Sequence, residues 1–199
     1  MQRARGASLT SDANNTQTTG RRRIGVLVIV AALVAGLDQV TKVIAVEALG
    51  DGRVISIIGD VLQLRLVRNP GAAFGIGTNL TVFLAVVMIA VIIVILRMSR
   101  RLANLPWAIG LGGLLGGAIG NFSDRLLREP GPLRGHVIDF LELPHWPVFN
   151  VADSAIVGGA AVIAFLSLRG IAHDGSHRER PGQAGPGVDG EASSGDDQE

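Results

Sequence analysis

Two aspartates have the surroundings that acid–base chemistry needs. Asp139 and Asp153 lie fourteen positions apart, in Val137-Ile138-Asp139-Phe140 and Asn150-Val151-Ala152-Asp153, with no basic neighbour in sequence. Two carboxyl groups brought together in apolar company cannot both ionise comfortably, so one keeps its proton while the other stays charged. The charged member can activate a water and the protonated member can serve a leaving amine. Asp38, Lys42, Asp124 and Arg125 lie inside or at the ends of apolar stretches, where charge is costly and needs a reason. Asp38 and Lys42 are four apart, so on a helix they share a face and can pair. Asp124 and Arg125 are adjacent, so their side chains diverge, which frees Arg125 to meet another carboxylate or a substrate carbonyl. Asn69, Asn121 and Asn150 fall at the same level of the chain's expected architecture. No rival nucleophile stands out: cysteine and tyrosine are absent, and Ser123 and Ser154 have no His or Lys base beside them in sequence. The lack of cysteine also excludes disulfides and thiolate metal sites.

The elements that must position these groups are apolar helices. Of 199 residues 48% are hydrophobic and only 18% charged, and the mean hydropathy is +0.40. A net charge of +1 gives no reason to expect nucleic acid as a partner. Four apolar segments run from Ile24 to about Val46, from about Leu80 to Leu96, from Leu105 to Leu127 and from Val151 to Leu168. Each approaches the roughly 20 residues that span a bilayer as a helix, the form that satisfies every backbone group internally. The expected fold is therefore an all-α membrane protein of four transmembrane helices with a small extracytoplasmic β-rich segment. The strands are expected around Val54–Ile58 and Leu62–Leu66, within the link 47–79. The first apolar segment is read as a retained helix rather than a cleaved signal peptide, because no small-residue cleavage site follows it. The third carries Gly112, Gly116 and Gly120 at a spacing of four, with Gly113 and Gly117 beside them, and small residues so placed let backbones approach closely. It is expected at the centre of the bundle. Residues 1–20 and 173–199 are polar, the latter mostly acidic, and are expected as disordered cytoplasmic arms flanking a transmembrane domain at 21–172. Trp107 and Trp146 are expected as anchors at the membrane interface.

Arg21, Arg22 and Arg23 precede the first segment, and Arg97, Arg100 and Arg101 lie between the second and third. This excess of positive charge places both ends of the chain in the cytoplasm, and Asp38, Lys42, Asp124, Arg125, Asp139 and Asp153 near the outer face.

The motifs, taken in order, resemble the signature blocks of lipoprotein signal peptidases (signal peptidase II). They are Asp38-Gln39-x-x-Lys42, Asn69-Pro70-Gly71-Ala72-Ala73-Phe74, Gly116-x-x-x-Gly120-Asn121-x-x-Asp124-Arg125, Val137-x-Asp139-Phe140 and Phe149-Asn150-x-Ala152-Asp153. The resemblance implies an aspartic endopeptidase of the bacterial plasma membrane. Its substrates would be prolipoproteins carrying a diacylglyceryl-Cys, cut on the amino side of that residue. It implies Asp139 and Asp153 as the catalytic pair, Asn69, Asn121, Arg125 and Asn150 as polar residues lining the site, and Asp38 and Lys42 as support. Gly71 belongs to the Asn69 block and is counted with the supporting residues, and Asp124 is implied to be structural. No metal or other cofactor is expected; membrane lipid and globomycin-type inhibitors are implied partners. Two readings from other classes compete. A small proton-coupled transporter would also carry intramembrane carboxylates, but no repeat relates the two halves of the chain. A non-enzymatic assembly subunit would use the glycines of the third segment as its interface.

Overall fold

The computed structural model describes residues 4–71, 81–174 and 176. Its elements follow in the order α1 (Ala4–Leu49), β1 (Val54–Ile58), β2 (Leu62–Asn69), α2 (Thr81–Ser99), α3 (Leu105–Leu127), β3 (Val137–Glu142) and α4 (Val151–Leu168). Four helical stretches are long and apolar enough to cross a membrane: Arg22–Leu49 and the whole of α2, α3 and α4. The last two coincide with the segments expected from sequence, because each begins at a cap. Asn104 accepts from the Trp107 backbone N–H ahead of Pro106, and Asn150 caps α4. Helix α1 differs from expectation, since its backbone continues back to Ala4 through the polar arm. No proline interrupts that stretch, and extending an existing helix fixes one residue per hydrogen bond, without the cost of a new nucleus. Ala72, Ala73 and Phe74 of the Asn69 block, and the acidic tail from residue 177 onward, lie outside the described residues.

Helix α3 is the hub. In its most apolar stretch 67% of the residues are buried, against 17% for each of the other three spans, and α1, α2 and α4 all pack on it. Its glycines form two contact faces. A Cβ added at Gly116 would stand 2.6 Å from the Ala31 carbonyl oxygen of α1, and one at Gly117 would stand 2.5 Å from the Ala152 carbonyl oxygen of α4. Hydrogen in place of a side chain is therefore what permits both contacts at once. Leu27, Ala31, Ile95, Leu111, Leu115 and Leu166 fill the core between the helices. Trp107 corrects its expected role. It is only 6% exposed, packs in this core and donates its indole N–H to the Ile171 carbonyl at 2.9 Å. It lies in the first turn of the central helix, so burial satisfies its ring and its donor together. Trp146, by contrast, is exposed.

The strands form one antiparallel sheet in the order β1-β2-β3, at the end of the bundle where α1 and α3 finish and α4 begins. Strand β2 has a register irregularity between Leu64 and Val67 and presents two different sides. Leu64 and Leu66 pack with Ala45, Leu49, Ile138 and Phe140, while Gln63, Arg65, Val67 and Asn69 line a cavity on the opposite side. Register sets Val67 opposite Asp139 and Asn69 opposite Val137. The third strand was not foreseen, because residues 137–140 are all buried and show no two-residue alternation.

Replacing Gly116 with Val is expected to force α1 away from α3 and lower stability by about 1–3 kcal/mol, as overpacking does. Thermal unfolding in detergent checks this, with Gly36→Ala as the control, since a Cβ at Gly36 meets nothing within 4 Å.

Candidate active site

A fully buried ammonium stands behind the site. Lys42 Nζ lies 2.8 Å from Asp38 Oδ2, 2.8 Å from Asp124 Oδ2 and 2.9 Å from Asn121 Oδ1, so its three donors meet three acceptors. The Asp38–Lys42 pair follows from their spacing on α1. Both carboxylates also reach beyond the lysine. Asp38 Oδ1 accepts from the Ala152 backbone N–H at 2.9 Å, and Asp124 Oδ2 accepts from the Ile138 backbone N–H at 3.2 Å. Ala152 and Ile138 are the residues immediately before Asp153 and Asp139. The ion cluster therefore grips the backbone beside each member of the pair. Asp124 is further held by Arg128 Nε at 2.6 Å, a partner the sequence reading missed. Their spacing of four at the end of α3 was the signal for it.

The two acids meet through asparagines. Asn150 donates from Nδ2 to Asp139 Oδ1 at 2.6 Å and from its backbone N to Asp153 Oδ2 at 3.2 Å. It accepts in turn from the Asp153 backbone N–H at 2.9 Å, which closes a capping box on α4. Asn121 donates from Nδ2 to Asp153 Oδ1 at 2.8 Å, and Asn69 donates from Nδ2 to Asp139 Oδ2 at 2.9 Å. Every carboxylate oxygen of the pair thus receives one N–H. Lys42 can only donate, so Asn121 must turn its oxygen toward the lysine and its nitrogen toward Asp153. Burial pushes the Asp139 carboxyl up to about 6, and the nearby Asp153 charge adds to the rise; the Asn69 and Asn150 hydrogen bonds and Lys42 oppose it.

Arg125 completes the site. Its Nη2 donates to the Gly71 carbonyl at 2.9 Å, while its buried Nε and Nη1 have no hydrogen-bond partner among the described residues. Gly71 is held by its own N–H on Asn69 Oδ1 at 3.1 Å, a turn that ties the arginine's anchor to the Asp139 partner. Asp139, Asp153, Asn69, Gly71, Asn121 and Arg125 line a cavity of about 550 Å³, whose apolar wall includes Leu84, Met88 and Val157. Asp38, Lys42 and Asp124 do not line it; they stand behind the asparagines. Arg125 and Asp124 point apart, as adjacency on a helix requires.

Residues 30–169 match the model of the family described as signal peptidase (SPase) II. The chain belongs to that family. It is 53% identical over 163 residues to a lipoprotein signal peptidase of Mycolicibacterium smegmatis, a match covering 82% of this chain and 69% of that protein. It is 52% identical over 153 residues to the lipoprotein signal peptidase of Mycobacterium tuberculosis, covering 77% of this chain and 76% of that protein. Its fold is similar to a solved bacterial membrane enzyme determined by the in meso method at 2.3 Å, with a TM-score of 0.66 and 31% identity over 73% of this chain and 88% of the other. As a signal peptidase II, the chain is a multi-pass aspartic peptidase of the bacterial membrane that cleaves the signal peptides of prolipoproteins. Family membership sets aside the transporter and assembly-subunit readings.

Replacing Lys42 with Met is expected to leave the buried carboxylates Asp38 and Asp124 without their shared cation, at a cost of about 3–5 kcal/mol. Thermal unfolding of the purified signal peptidase in detergent measures the loss.

Proposed function

We propose that Asp139 and Asp153 are the catalytic pair of this signal peptidase, acting on a water held between them and the scissile carbonyl. The observation that carries this reading is Asn150, hydrogen-bonded to both carboxyl groups, which line one cavity together with Arg125. The ionised acid takes a proton from water, and the oxygen attacks the carbonyl carbon. The protonated acid hydrogen-bonds the carbonyl oxygen as it gains charge, and the nitrogen leaves with a proton relayed through the pair. Arg125, which lines the same cavity, supplies positive charge for the substrate backbone or the developing oxyanion. Asn69, Gly71, Asn121 and Asn150 hold the acids and the arginine in register; Asp38, Lys42 and Asp124 fix that set from behind.

The substrate in this reading is a prolipoprotein with a diacylglyceryl-Cys, cut on the amino side of that residue. The apolar wall of Leu84, Met88 and Val157, on α2 and α4, suits a signal peptide that enters sideways from lipid while the acyl chains remain there. Globomycin-type inhibitors would compete for the same cavity. Both termini lie in the cytoplasm, with Arg21–Arg23 and Arg97, Arg100 and Arg101 at that end, so the pair sits at the outer face.

Asp139→Asn and Asp153→Asn are each expected to lower cleavage of a diacylglyceryl-modified peptide by more than about a hundredfold, while the proteins still insert and unfold cooperatively. An Asp153→Asn protein that cleaves at the parent rate ends the assignment. The pH profile of kcat/KM is expected to fall on its alkaline side with an apparent pKa of about 6 or higher, as the pair loses its shared proton. The Asn69 hydrogen bond favours the charged form of Asp139, so Asn69→Ala should move that limb to higher pH.

A further inference from the structure

A separate cavity, of about 500 Å³, brings unlike charges together where two membrane spans end. It shares no lining residue with the cavity of Asp139 and Asp153. Arg68 and Ile138 are register partners and both line it, whereas Val67 and Asp139, the next pair along, belong to the other side of the sheet. Its remaining wall is the end of α1 and α3. Val46 sits in the last turn of the span Arg22–Leu49, and Leu127 closes the span Leu105–Leu127 with 80% of its surface exposed. The headgroups of a bilayer leaflet lie at the depth where apolar spans stop. A phospholipid beside the protein can therefore lay its chains against Leu127 and its headgroup in the cavity.

Charge decides which headgroup fits. Arg128 lines the cavity, but its charge is already balanced, since Arg128 and Lys42 together face Asp124 and Asp38. Arg68 and Glu129 remain, and neither forms an ion pair among the described residues. The cavity thus offers one free cation and one free anion. An anionic headgroup would satisfy Arg68 and be repelled by Glu129. A zwitterionic headgroup satisfies both, with phosphate oxygens on the guanidinium and an ammonium on the carboxylate. The loop carrying Glu129 is held in place, because the His136 backbone N–H donates to the Glu129 carbonyl at 3.0 Å. We infer that this cavity binds a zwitterionic phospholipid headgroup of the phosphatidylethanolamine type, with its phosphate at Arg68 and its amine at Glu129. The inference does not depend on which residues are catalytic.

The test uses the purified full chain in uncharged detergent. It is titrated with dioleoyl phosphatidylethanolamine and with dioleoyl phosphatidylglycerol, which share chains and phosphate and differ in the amine. Native mass spectrometry counts the bound lipid, and the ratio of the two affinities is read within each protein. The parent should hold phosphatidylethanolamine more tightly by roughly two- to fivefold, the scale of an exposed ion pair. Glu129→Gln should bring the ratio close to one, and Glu129→Lys should invert it. Arg68→Gln should weaken phosphatidylethanolamine binding by a similar factor, while Arg53→Gln, outside the cavity, should leave it unchanged. Soluble glycerophosphoethanolamine at equal concentration should not displace the lipid; displacement would assign the site to a soluble phosphoester and overturn the lipid reading. A parent ratio of one, a ratio that neither Glu129 variant changes, or parent-like binding by Arg68→Gln overturns the inference.

Discussion

One ammonium group sets the geometry on which the rest of this structure depends. Lys42 is buried on every side, and it holds together two carboxylates that would otherwise repel, Asp38 from α1 and Asp124 from α3. Each carboxylate uses a second lone pair to hold the backbone N–H next to one member of the Asp139/Asp153 pair. The distance between β3 and the start of α4 is thus fixed by hydrogen bonds to a common cation. Hydrophobic packing alone would not fix it, since apolar contact has no direction. Buried ion clusters add little net stability compared with apolar residues of the same shape. What this one supplies is a single arrangement of three helices and a strand, because any displacement strands a charge in a low-dielectric interior.

The same cation reaches the pair along a second route. It dictates the sense of the Asn121 amide, and Asn121 then presents N–H to Asp153 while its oxygen accepts from Asn150 at 3.1 Å. Asn150 presents N–H to Asp139. Orientation is passed from a charged group to two neutral amides and then to two acids. Among the described residues the acids receive only N–H donors, with no formal positive charge bonded directly to either carboxylate. A cation bonded directly to them would favour full ionisation of both. The amides fix position yet leave the pair able to keep one proton, which the burial of Asp139 favours.

Much of this was legible in the sequence because membrane constraints are strict. A helix that must cross lipid shows as a long apolar run, and α3 and α4 agree with expectation because Asn104 and Asn150 mark their starts. The charged residues were conspicuous for the same reason, since few charges are tolerated in such runs. The glycine spacing of α3 announced close packing, and the structure divides those glycines between two neighbours. What escaped notice depends on partners distant in the chain. Strand β3 has no visible alternation because β2 covers its edge while the hydrophobic cluster at the end of α1 covers its face. Trp107 reads as an interface residue by type, and packing around the α2–α3 link and against Ile171 and His173 after α4 buries it. The Asp38–Ala152 bond spans 114 positions, and no local pattern encodes it.

The site stands at the junction of the helix bundle and the sheet, and Asn69 and Asp139 border a cavity on each. Strand β2 turns Leu64 and Leu66 toward the end of the bundle, and its alternate residues form a polar floor that ends at Asn69. A one-residue slip of Val67–Asn69 against β3 would turn Val67 away from Asp139. It would also remove Asn69 from Asp139. The strand that seats Leu64 and Leu66 on the membrane helices thus continues, past the irregularity between Leu64 and Val67, into the pairing that sets Asn69 beside Asp139.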